Sequence, residues 1–219
     1  MSAGCWAAQP RPVLAAAIER LRAGGLVAFP TETVWGLGAD ARSAAALERL
    51  RRWKGRGEAQ PVAILVEGVA SLAALGLVAD TAARRLADAF WPGPLTLVLP
   101  CRAAFAPGVA RADGAVGVRC SPHPVAAALA AAAARAGVGP LTATSLNRHG
   151  EPPARTRAEA ERLCAGDGDA PLVVGSEGPD AEGGEPSTVV DCSSPRPNVL
   201  RWGAIDRAAL ARAGLESPA

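Results

Sequence analysis

The chain has 219 residues, 49% of them apolar, and its 23 basic and 21 acidic side chains leave a net charge of only +2. That length suits one large domain or two small ones with a sizeable core, and the near balance of charge excludes a strong overall field for nucleic acid or membranes. Five cysteines without a CxxC pair and only two histidines argue against a zinc site and a disulfide framework, so a reduced, cytoplasmic protein is expected.

The first residues, MSAGCWAAQPRP, lack the basic start and apolar centre of a signal peptide. Pro12 to Ala23 carries apolar residues at helical spacing and stops at Gly24-Gly25. Leu26 to Phe29 reads as a short buried strand. Pro30 to Asp40, PTETVWGLGAD, reads as a strand end turning through Thr31, Glu32, Thr33 and two glycines, where open α/β sheets bind ligands. An ordinary strand-to-helix turn carries the same pattern. Ser43 is placed to cap a helix whose apolar face is Ala46, Leu47, Leu50 and Trp53. KGRGEAQ is a loop, and Pro61 to Val66 a second strand. Ser71 to Leu77 and Thr81 to Phe90 read as helices, and Leu95 to Leu99 as a strand after the WPGP turn. Pro107 to Ala115 is loop and Val116 to Cys120 a strand. The alanine-rich run from Val125 to Ala134 ends at Arg135 and reads as a helix against the core, not a membrane span. LTATS is a strand, NRHGEPPART an irregular loop, and Ala158 to Cys164 a helix. PLVV, STVVD and NVLR read as short strands, and the acidic, glycine-rich GSEGPDAEGGEP among them as a flap. A helix from Arg207 to Ala213 follows. With no repeat and no dividing linker, the pattern predicts a single α/β domain on a mixed sheet.

Chemistry is concentrated in polar islands. Lys54 is the only lysine among 23 basic residues, which suggests a site where a compact ammonium cannot become a planar guanidinium. With Arg56 in the glycine loop KGRG it can face one polyanion; a solvated helix end, where cations suit the dipole, gives the same pattern. Arg119 stands in an otherwise apolar strand and needs a partner, either a ligand carboxylate or a structural Asp or Glu. His123, between two prolines at a helix start, reads as a cap. Thr144, Ser145 and Asn147 leave a strand and enter a loop with Arg148, His149 and Gly150. Ser187 and Thr188 open one strand and Arg201 ends another. Singly, each island is consistent with turn chemistry. GxGxxG, GxxxxGK[ST], HExxH and GxSxG are absent.

Taken in order, these segments resemble the YrdC-type L-threonylcarbamoyladenylate synthase family. PTETVWGLGAD is similar to its PTE-x-V-aromatic-G-x-G segment, KGRG to its K-x-R loop, and WPGPLTLVLP to its WPGP-x-T segment. VGVRCSPHP resembles its V-x-V-R strand and His-Pro helix start, TSLNRHGEPPART its TSANxSG loop, and PSTVVD with VLRWG its closing pattern. The resemblance implies a YrdC-like domain over residues 10–206, followed by a helix and tail over 207–219, with one twisted mixed sheet around a large positively charged cavity. It implies synthesis of threonylcarbamoyl-AMP and pyrophosphate from L-threonine, bicarbonate and ATP, with Mg²⁺ accompanying ATP and no protein-held metal. A separate tRNA threonylcarbamoyl transferase complex would then use the product for N6-threonylcarbamoyladenosine.

By the same resemblance, Lys54, Arg56, Ser145 and Asn147 carry the chemistry at the ATP phosphates. Thr144, His149 and Arg201 complete the nucleotide site. Thr33, Arg119, Ser187 and Thr188 form the threonine pocket. The chain departs from the family at Trp35 (usually Tyr or Phe), Gly57 (usually Pro), Leu146 (usually Ala) and His149 (usually Ser). Leu146 is expected to add bulk beside Ser145. A degenerate relative that binds nucleotide, or weakly RNA, without turnover stays open as the alternative. So does a carbamoyl-transfer domain of larger maturation proteins, although this chain is too short to carry the accompanying domains.

Overall fold

The computed structural model describes residues 11–55, 60–166, 169–175 and 185–215. Helix α1 (Arg11–Arg22) leads into β1 (Val27–Phe29), which turns back through β2 (Gly36–Gly38). Helix α2 (Ala44–Lys54) begins where Ser43 accepts the Ala46 amide and stops at Gly55 in the left-handed region. Strand β3 (Ile64–Leu65) precedes α3 (Thr81–Phe90), β4 (Leu95–Pro100) and β5 (Ala115–Arg119). Helix α4 (Pro124–Arg135) is followed by β6 (Leu141–Thr142), β7 (Thr144–Ser145), α5 (Arg157–Cys164) and β8 (Leu172–Val173). The last described elements are β9 (Thr188–Asp191), β10 (Asn198–Arg201) and α6 (Arg207–Arg212).

The mixed α/β architecture is present, and its hydrogen bonding divides the strands between two sheets. The smaller runs β7-β2-β1-β8 and the larger β10-β9-β4-β5-β3-β6, each with parallel and antiparallel pairs. The chain passes from one to the other at Ala143, between β6 and β7, which is why LTATS is two strands rather than one. No helix among the described residues is long and apolar enough to cross a membrane.

Alternation along the larger sheet separates core from cavity. Leu95, Leu97 and Leu99 of β4, Val116 and Val118 of β5 and Val190 of β9 join Leu86 and Leu210 in one buried cluster. Thr96, Val98, Gly117, Arg119, Ser187 and Val189 lie on the opposite face and line a cavity. Leu210 and Leu215 share the main core, so α6 is part of this unit rather than an appendage. A second cluster packs α1 against α4 and β1, and a third surrounds Leu50 and Trp53 of α2.

Three local expectations change. Gly36–Gly38, read as a turn, is a strand antiparallel to β1. Its glycines are needed there because a Cβ on Gly36 would come within 2.9 Å of the Phe29 ring. The helix expected over Ser71–Leu77 is two single 3-10 turns, Val69–Ser71 and Ala73–Leu75, closed by Gly76 at φ 73°. Of the strand expected over Pro61–Val66, only Ile64 and Leu65 enter the ladder; the Val62 amide donates instead to Gly108 O. Arg56, and residues 176–184 of the flap expected over 175–186, lie outside the described residues.

Candidate active site

A cavity of about 510 Å³ is lined from both sheets and the end of α2. Its described lining carries four cations, Lys54, Arg111, Arg119 and Arg201, and no carboxylate. Such a volume is ordinary for a small-molecule site.

The first wall is built where α2 meets the loop after β7. Lys54 is 3% exposed. Its Nζ donates to Ser145 O at 2.6 Å, Asn147 Oδ1 at 2.9 Å and Asn147 O at 3.2 Å. Three acceptors around one nitrogen suit an ammonium and not a planar guanidinium. Ser145 Oγ donates to the same Asn147 Oδ1 at 2.7 Å, and Asn147 Nδ2 donates to Arg148 O and Glu151 O. Thr144 and His149 also line the cavity. Leu146 does not crowd it: the side chain is 0% exposed and sits in the core with Trp35 and Trp53.

The second wall is an oriented hydrogen-bond chain. Arg119 Nη2 donates to Glu32 Oε1 at 2.8 Å and to Thr33 Oγ1 at 2.5 Å. Arginine only donates, so the Thr33 hydroxyl is free to donate onward to Thr31 Oγ1 at 3.1 Å, and Thr31 donates to Val34 O. Ser121 Oγ donates to the second oxygen of Glu32. The protein therefore supplies a structural carboxylate for Arg119, one of the two partners that the sequence left open. The Arg119 Nε is buried with no partner among the described residues. Thr33 is 1% exposed and serves the cavity through Arg119, whereas Thr31 lines it directly.

On the third wall, Arg201 donates from Nη2 to Ser187 O at 2.9 Å and to Ser187 Oγ at 3.2 Å. Ser187 Oγ is 2.8 Å from Thr96 Oγ1. Arg201 has no carboxylate partner among the described residues. Desolvation, and then the charge of Arg119, lower its pKa from the usual guanidinium value. Thr188 does not join this wall, a correction to the expected threonine pocket. It is 0% exposed, and its hydroxyl is committed to Ile205 O and Ile205 N–H. Thr188 opens β9 and turns into the fold, while Ser187, just before the strand, faces the cavity.

Other side chains have structural duties. His123 caps α4, its Nδ1 accepting the Val125 amide, and burial lowers its pKa against the opposing influence of Glu32. Burial, with a contribution from Glu32, pushes the Cys120 thiol up to about 11, so it is no thiolate nucleophile. Thr31, Thr96 and Arg111 line the cavity but were given no binding role from the sequence. The position of Thr96 follows from the alternation of β4. Arg111 carried no local signal, because its partners are Asp113 and the distant Asp191, 2.5 Å from Nη1. No group of three or more metal-ligating side chains occurs among the described residues.

Comparison with known proteins gives a consistent picture. The family model Sua5/YciO/YrdC, described as telomere recombination, matches residues 19–203. Threonylcarbamoyl-AMP synthase of Bacillus subtilis is 37% identical over 198 residues, spanning 90% of this chain and 55% of that protein. The Halorhodospira halophila protein of the same name is 41% identical over 146 residues, covering 67% of this chain and 74% of its own. The crystal structure of P. abyssi Sua5 complexed with L-threonine superposes with a TM-score of 0.81 at 31% identity, over 92% of this chain and 56% of that one. The chain thus spans about half the length of the Bacillus and P. abyssi relatives.

Proposed function

The chain belongs to the Sua5/YciO/YrdC family, and on that premise we propose that it is an L-threonylcarbamoyladenylate synthase. The observation that carries this reading is one cavity in which four cations and several hydroxyls converge without a lining carboxylate among the described residues. Such a site suits a polyanion and an α-amino acid together.

In the proposed reaction the threonine ammonium gives up a proton, and the free amine combines with bicarbonate to give a carbamate and water. A carbamate oxygen then attacks the α-phosphorus of ATP, and pyrophosphate leaves. No covalent enzyme intermediate is required, so the protein's work is positioning and charge compensation. Arg201 and the Lys54–Ser145–Asn147 wall take the phosphates, with Thr144 and His149 beside them. Arg56, by the family pattern alone, joins them. Arg119 takes the threonine carboxylate, with Thr31 and Ser187 around the side chain and Thr33 orienting Arg119. The cationic lining does not fit a resident divalent metal, which prefers carboxylate oxygens. Mg²⁺ therefore enters as the counter-ion of ATP, held by phosphate oxygens and water. A cytoplasmic setting, a downstream tRNA threonylcarbamoyl transferase and weak RNA contact belong to the same proposal.

The test is pyrophosphate release from Mg·ATP with and without L-threonine and bicarbonate, beside an Arg201→Ala control. Release that needs both co-substrates and collapses in the control supports the synthase. ATP binding without such release would instead identify a degenerate nucleotide binder.

A further inference from the structure

The last turn of α2 is completed by the loop that carries the phosphate-facing groups. A helix leaves its final four carbonyls without intrahelical donors. In α2 these belong to Arg51, Arg52, Trp53 and Lys54. The Gly55 amide serves the first two. Arg148 Nη1 donates to Trp53 O, and the His149 amide donates to Lys54 O at 2.7 Å. The Arg148 guanidinium also lies over the Trp53 ring, 4.2 Å from its centroid, in a cation–π contact. Trp53 itself is 5% exposed, anchored in the core with Leu50 and Leu146.

Helix end and loop are therefore interlocked residue by residue. Trp53 holds Arg148, and Lys54, one position on, holds Asn147, one position back. Asn147 Oδ1 is the shared acceptor for Lys54 and Ser145, so its orientation sets where both groups point. Leu146, on one side of Asn147, is fixed by the core. On the other side, residues 148–150 are exposed, and Arg148 supplies the side-chain tie.

We propose that Arg148 is a positioning residue for the nucleotide, acting through Asn147 by clamping the loop onto Trp53. The inference rests on the synthase reading for the identity of the nucleotide, and the family pattern leaves this position open. Arg119, Thr33 and Glu32 stand on other elements and are not hydrogen-bonded to the clamp. Loosening it will weaken ATP and spare threonine.

The experiment measures Kd for ATP and for L-threonine by calorimetry, with pyrophosphate release, in wild type, Arg148→Ala and Trp53→Phe. In Arg148→Ala the Kd for ATP rises about tenfold, equivalent to about 1.4 kcal/mol. The Kd for threonine stays unchanged. Trp53→Phe keeps a ring face for the guanidinium and stays near wild type for both ligands. An unchanged ATP Kd in Arg148→Ala, or equal weakening of both ligands, overturns the proposal. A wild type that binds both ligands but releases no pyrophosphate defeats the synthase reading, while the clamp is still judged on the ATP Kd. A wild type that binds no ATP defeats both.

Discussion

Replacing Lys54 by methionine removes one ammonium and leaves the apolar stem in place. Ser145 O and Asn147 O then lose the Lys54 donor, and Asn147 Oδ1 keeps only Ser145 Oγ, around a side chain that is 3% exposed. A hydrogen bond from a charged group is worth about 1.5–3 kcal/mol, and a buried acceptor left unpaired costs about 1–3 kcal/mol. These terms are not additive, and the Asn147 groups can regain water from the cavity. A net loss of about 3 kcal/mol follows, which lowers the Tm of a chain this long by about 6–12 °C. Lys54→Arg should fall between wild type and methionine, because a flat fork cannot aim three protons at acceptors gathered around one point. The assay is thermal unfolding followed by circular dichroism, with pyrophosphate release measured on the same preparations. A methionine variant that melts within about 2 °C of wild type yet has lost activity would refute the reasoning, by showing that Lys54 serves ATP and not the loop.

Three further outcomes follow from the same geometry. Arg201→Ala removes a cation without a carboxylate partner among the described residues; the KM for ATP should rise about 10- to 100-fold with little change in Tm, and an unchanged KM would remove Arg201 from the nucleotide wall. Arg111 holds Asp113 below the usual carboxylate range. Burial pushes Asp191 up, but hydrogen bonds from Ser193 and Arg111 outweigh it and leave it lowered as well. Depressed carboxylates stabilise the fold above about pH 4 and lose that contribution as pH falls through their folded values. Arg111→Gln should therefore move the acid-unfolding midpoint upward, and an unshifted midpoint would show that the cluster contributes nothing. Finally, a Cβ on Gly203 would lie 2.1 Å from Pro186 O and 2.9 Å from Ser187 O. Gly203→Ala should cost about 2 kcal/mol by forcing this backbone apart, and a native-like melt would contradict the close approach.

What was legible in the sequence is what local chemistry determines. The Ser43 cap, the buried face of α2 and the His123 cap all hold, because each depends on residues within one turn. The alternation of β4 assigns Thr96 to the cavity and Leu97 to the core, a rule the sequence already contained, and the burial of Thr188 at the start of β9 keeps it out of the pocket. What was not legible spans the chain. Glu32 meets Arg119 across 87 positions, and Arg111 meets Asp191 across 80. Strand β2 was hidden because glycines that usually signal a turn here make room for the Phe29 ring of the paired strand.

The departures from the family pattern gain a different meaning once their directions are known. Leu146 stands where a small residue is usual and Trp35 where Tyr or Phe is usual. Side by side in a motif they look like two independent losses. In the fold both turn into the same core cluster, joined there by Trp53. The Trp53 ring is the platform on which Arg148 stacks, and Arg148 follows the asparagine that accepts from Lys54 and Ser145. Bulk added on the core side of the loop therefore supports its cavity side, because a filled core fixes Leu146 and the tryptophan together. Random decay of a binding loop would be expected to leave voids or unpaired groups beneath it. Here the loop has a packed underside and its asparagine has partners on both amide atoms, with one buried group in that cluster, Trp35 Nε1, left without a partner among the described residues. That arrangement weighs against the degenerate reading and leaves Trp35 and His149, which both line the cavity, as the described departures that bear on the nucleotide directly.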